Sequence, residues 1–60
     1  MTYKLFASVA EAGAYYYELG YRTIQETHNE IYERVMQAGD NIVCIRKLGL
    51  LDVVAIEEFA

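Results

Sequence analysis

Residues 28–38, HNEIYERVMQA from His28 to Ala38, decide between two folds. Coiled as a helix, the stretch places Ile31, Tyr32, Val35 and Ala38 on one side and Glu26, Glu30, Glu33 and Gln37 on the other. Glu30 then precedes Arg34 by four positions, the favourable order for a helical ion pair. Laid flat as a strand, the same residues form the rows Ile31-Glu33-Val35 and Tyr32-Arg34-Met36, each with a charge inside an apolar row. The helix is preferred on that ground. The competing arrangement turns the chain at His28-Asn29 and follows a single helix with a four-stranded antiparallel meander.

Punctuation on either side supports the helical reading. Thr27-x-x-Glu30 closed by Gly39 repeats, at the same spacing, Ser8-x-x-Glu11 closed by Gly20. In each case a hydroxyl can accept from an unpaired amide, a carboxylate three positions on can reach back, and a glycine supplies the left-handed stop. Ser8 is expected to cap a helix to about Leu19, with Val9, Ala12, Gly13, Tyr16 and Leu19 on its inner stripe and Tyr21 folding back on Tyr16. The match between the two units is confined to capping positions, so it reflects one solution used twice and not a duplication.

Outward from these helices the signals are extended. Thr2 to Ala7 and, less regularly, Tyr21 to Glu26 read as strands. Asn41 to Leu48 and Leu51 to Phe59 are rich in β-branched residues and flank Gly49-Leu50, a pair suited to a type II′ hairpin. The expected fold is one α+β domain over residues 1–60, a small, mostly antiparallel sheet with two short helices in the order β-α-β-α-β-β. Both faces of the C-terminal hairpin carry apolar side chains, so helices on one face leave the other exposed, and a second copy of the chain is the simplest cover.

Composition narrows the function classes. A 60-residue domain buries only ~60% of the surface its unfolded chain exposes, which leaves a thin stability margin. The lone Cys44 excludes an internal disulfide, and a single histidine, His28, leaves no nitrogen and sulfur ligand set for zinc, so self-association is the remaining reinforcement. No secretory signal or membrane span is legible, and an unpaired thiol suits a reducing cytoplasm. The net charge of −4 is spread along the chain, and the only adjacent basic pair is Arg46-Lys47, which argues against direct nucleic-acid binding.

Catalytic groups are sparse. His28 could in principle activate Cys44, but the simpler roles are a first-turn helical histidine and a small buried hydrophobe protected from thiol reagents. Glu26 and Glu30 beside His28 read as a solvated face, and Glu57-Glu58 on a strand point to opposite faces. The four glycines are scattered and form no phosphate loop; Gly39-Asp40 reads as a helix stop. Gly13, inside the first helix, costs ~1 kcal/mol against alanine, which close approach of another backbone would explain. No enzyme, catalytic residue, cofactor or metal site is expected.

The run Tyr15-Tyr16-Tyr17 points elsewhere. Helical neighbours are turned by about 100 degrees, so at least one of the three faces water. Tyrosine there, with Glu11 and Glu18 nearby, suits a contact with another protein. The expected function is a non-enzymatic binding module or small acidic inhibitor that occludes a partner protein through Glu11, Tyr15, Tyr17, Glu18 and Glu33. A sharper form is a viral anti-defence protein whose carboxylates replace phosphates on a nucleic-acid-handling partner. The alternative is a self-assembling structural or regulatory subunit, a homodimer through the C-terminal hairpin.

Overall fold

The computed structural model describes residues 2–28, 31–48 and 52–58. Through them run β1 (Thr2–Phe6), α1 (Val9–Glu18), β2 (Arg22–His28), β3 (Tyr32–Ala38), β4 (Asn41–Leu48) and β5 (Asp52–Glu58). The fold is α+β. Its strands form one five-stranded sheet in the order β1-β5-β4-β3-β2, with every neighbouring pair antiparallel. The expected turns at His28-Asn29 and Gly49-Leu50, and the Glu30 end of the second capping motif, fall outside the described residues.

The first helix follows its local code. Ser8 has extended geometry (φ −152, ψ 161), and its hydroxyl accepts from the Glu11 amide at 3.1 Å. At the other end, the Gly20 amide donates to the Tyr17 carbonyl and the Tyr21 amide to the Tyr16 carbonyl, each at 3.0 Å. This is the Schellman closure, with Gly20 at φ 97 supplying the left-handed turn. The tyrosine contact that accompanies it brings the Tyr16 and Tyr21 rings to 5.4 Å.

The second helix expected over residues 28–38 does not form, and the order β-α-β-α-β-β is corrected to a helix followed by four successive strands. The two charges that counted against a strand each face a charge of opposite sign on a neighbouring strand. Arg34 is registered opposite Glu26 of β2, with its Nη2 2.8 Å from the carboxylate, and Glu33 opposite Arg46 of β4, at 2.5 Å. Cross-strand pairing of this kind stabilises a sheet as i,i+4 pairing stabilises a helix. Gly39, expected to stop a helix, instead opens the two-residue turn between Ala38 and Asn41. It has φ 61, whereas Asp40 keeps an ordinary negative φ, the pattern of a type II′ hairpin.

Alternation then sorts the sheet into two faces. Toward α1 point Met36, Val43, Ile45, Val53 and Ala55, which close a core with Ala12, Tyr16 and Tyr21. Phe6, Val9 and Ala38 pack at its margin. Val43, Ile45 and Ala55 are fully buried, each buried aliphatic of valine or isoleucine size contributing about 1.5–3 kcal/mol. Among the described residues no helix lies over the opposite face.

Candidate protein-binding surfaces

The open face is built from the residues that alternate with the core. Register pairs Tyr3 with Ile56, Leu5 with Val54, Cys44 with Ile56 and Val35 with Cys44, so these side chains share one surface with Ile42 across β1, β5, β4 and β3. Val35, Ile42, Cys44, Val54 and Ile56 are half-buried. On the edge strand β1, Tyr3 and Leu5 are each 73% exposed. Seven adjacent apolar side chains on an uncovered sheet face exceed the scattered apolar residues of an ordinary monomer surface. The Glu33–Arg46 pair also lies on this face, and Glu58 sits at its rim. The sheet edge at β2 is kinked by a bulge between Thr23 and Gln25, which leaves Ile24 exposed.

The five residues expected to contact a partner are divided between two surfaces. Glu11, Tyr15, Tyr17 and Glu18 are exposed on α1. Glu33 lies on the far side of the sheet, and Arg46 holds its carboxyl below the usual range by hydrogen bonding. The two tyrosines are partly engaged within the chain. Tyr15 stacks between Phe6 and Tyr16, at 5.4 and 5.0 Å, and the Arg22 guanidinium covers the Tyr17 ring at 4.1 Å. Arg22 also donates to the Tyr21 carbonyl at 2.9 Å, so its head turns round the sheet edge toward α1.

Sequence reasoning did not single out Tyr3 and Leu5. The signal was the alternation in TYKLF, whose odd members emerge on the uncovered side once Phe6 is placed against the core.

Two polar clusters hold the helix side together. Glu57, 8% exposed, accepts from Tyr16 Oη and Thr2 Oγ1, both at 2.7 Å, which ties α1 and β1 to β5. Those bonds, Thr2 first, hold the Glu57 carboxyl below its ordinary range; burial and the adjoining carboxylate push the Tyr16 hydroxyl well above its own. The second cluster centres on Glu26, which accepts from Tyr32 Oη and from Arg34 and approaches His28 Nε2 at 3.1 Å. Hydrogen bonds from Tyr32, Arg34 and His28 lower its carboxyl to about 2.

His28 belongs to the helix-side row with Glu26 and Tyr32, whereas Cys44 lies on the open face of β4, so the histidine and the thiol are not brought together. Burial, followed by the Glu33 carboxylate, pushes the Cys44 thiol above its ordinary value. Among the described residues no group of three or more histidine, cysteine or acidic side chains is arranged to hold a metal, and no helix is long and apolar enough to cross a membrane. No family model, curated protein or solved structure matches the chain.

Proposed function

We propose that the protein is a non-enzymatic binding module that works by covering, or being covered by, another protein surface. The observation that supports this reading is the open apolar face of the sheet, on the side of the molecule away from α1. A marginal 60-residue domain that keeps seven apolar side chains together at its surface bears a stability and solubility cost that a binding surface accounts for. The acidic, tyrosine-bearing surface of α1 is a second contact region, suited to a basic partner such as a nucleic-acid-handling protein, and its attraction weakens as salt is added. The reading places the protein in the cytoplasm as an occluding or regulatory factor.

Capture of partners on immobilised protein tests it, with Leu5→Lys and Tyr15→Ala as controls. Loss of partners with the first substitution assigns binding to the sheet; loss with the second assigns it to the helix. Recovery of no partner on any of the three proteins sinks the reading, and equal recovery on all three rules out both surfaces as the contact.

A further inference from the structure

We infer that the occupant of the open face is a second copy of this chain, giving a two-layer sandwich of sheets with the helices on the outside. The inference rests on the reading of that face as a binding surface and names what binds there. Hairpin β4–β5 cannot extend into a shared sheet, because β5 is already paired with β1 and β4 with β3. Association through the C-terminal hairpin therefore has to use its face.

Three observations favour a copy of the chain over a foreign protein. The first is area. With strands about 4.8 Å apart and about 3.3 Å per residue, the four strands that carry the apolar residues, about seven residues each, present a footprint of about 450 Å². Two such faces together reach the lower end of the ~1,200–2,000 Å² that stable complexes bury, once the relief of the side chains is added.

The second is charge. Glu33 and Arg46 satisfy each other within the face, and Tyr3, Leu5, Val35, Ile42, Cys44, Val54 and Ile56 between them are uncharged. Apart from Glu58 at the rim, the centre of the face thus offers no unmatched charge for an oppositely charged partner. Glu11, Glu18 and Glu26 belong to the helix side. Two chains of net charge −4 can therefore meet while much of their like charge stays on the outer surfaces.

The third is shape. Tyr3 and Leu5 on the edge strand β1 are largely exposed, whereas Val35, Cys44 and Ile56 are half-buried. With a two-fold axis parallel to the strands and midway between β5 and β4, β5 of each copy faces β4 of the other and β1 faces β3, so that Tyr3 meets Val35 and Ile56 meets Cys44 at matched levels. Such an isologous contact closes on itself and stops at two chains. It also sets two α1 surfaces facing outward in opposite directions, a bivalent display of Glu11, Tyr15, Tyr17 and Glu18.

Molar mass by light scattering or sedimentation, over a wide concentration range, tests the pairing. The expected result is twice the chain mass of 6.9 kDa for the native protein, and a single chain mass for Leu5→Lys and for Tyr3→Lys, with the far-ultraviolet circular dichroism unchanged. Cys44 provides a second readout: its reaction with a thiol reagent should be at least tenfold slower in the dimer than in either lysine variant. Either variant suffices if the other fails to fold, since both positions are largely exposed. A single-chain mass for the native protein at every concentration overturns the second copy as occupant, while partner capture still judges the binding reading separately. A two-chain mass that survives both substitutions, with Cys44 reacting equally fast throughout, also overturns it and moves the contact elsewhere, such as the β1 edge.

Discussion

Tyr16 of α1 donates to Glu57 of β5 across 41 positions of sequence, at 2.7 Å, inside the space between helix and sheet. The same carboxylate accepts from Thr2, so one buried acid joins the helix, the first strand and the last. Removing one donor leaves the acid buried with fewer partners. Tyr16→Phe is therefore expected to lower stability by about 1–2 kcal/mol while keeping the fold. For a domain of this size that is a melting temperature lower by about 4–8 °C per kcal/mol. Thermal melts of Tyr16→Phe, Thr2→Val and the double variant should be non-additive, because both substitutions act on one oxygen pair.

Titration should expose the same linkage. The folded chain holds the Glu57 carboxyl below the ordinary 4.5 of the unfolded state, so its hydrogen bonds contribute stability above that pH and lose it as acid protonates the folded form. Tyr16 has the opposite sign. Its hydroxyl is held above the ordinary 10.0, so stability is intact below that pH and falls as alkali ionises the unfolded chain first. Urea midpoints measured from pH 2 to 11 should decline at both ends, and Tyr16→Phe should flatten the alkaline limb. An unchanged alkaline limb in that variant would remove the tyrosine from the account.

Gly13 tests how closely a side chain can replace a backbone contact. A Cβ there would come within 2.5 Å of Arg34 Nη1, so the neighbour that explains the glycine is a guanidinium, not the second backbone expected from sequence. Alanine in a helix interior normally gains about 1 kcal/mol over glycine. Gly13→Ala alone should gain less than about half of that, since Arg34 has to move while Glu26 holds it. In an Arg34→Ala background the full gain should return, and denaturant midpoints of the four proteins measure the difference.

Gly39 isolates backbone strain from packing. Its φ of 61 is a left-handed value, and an added Cβ would find nothing within 4 Å. Gly39→Ala should cost about 1–2 kcal/mol through the turn alone. D-alanine, introduced by chemical synthesis, should leave stability unchanged or raise it. Equal losses for the two enantiomers would show that the turn tolerates no side chain for some other reason.

How much of this was legible in the sequence follows from the range of each interaction. Ser8, Glu11, Gly20 and Tyr21 act within one or two turns, and the first helix emerges as their spacing implies. The C-terminal strands are dense in β-branched residues and emerge likewise. Residues 32–38 went the other way because the partners that make their charges acceptable, Glu26 and Arg46, sit on other strands. Their relation to Arg34 and Glu33 is invisible to any helical or alternating count. Gly39-Asp40 was legible as a Gly-first hairpin pair by the rule applied to Gly49-Leu50, and the expected helix hid it. Of the five candidate contact residues, four share α1, and Glu33 lies apart from them because residues 32–38 form a strand whose alternation turns it to the far side of the sheet.

The strand order has a consequence for biosynthesis. Thr2 pairs with Glu57, and among the described residues β5 is the only sheet neighbour of β1. On the ribosome, β1 must wait for β5, while β2, β3 and β4 can zip together hairpin by hairpin behind it. Until β5 arrives, Tyr16 lacks its acceptor, the core lacks Val53 and Ala55, and β1 has no strand to pair with. Emergence of β5, and not the growth of the middle of the sheet, is therefore the event that completes the fold.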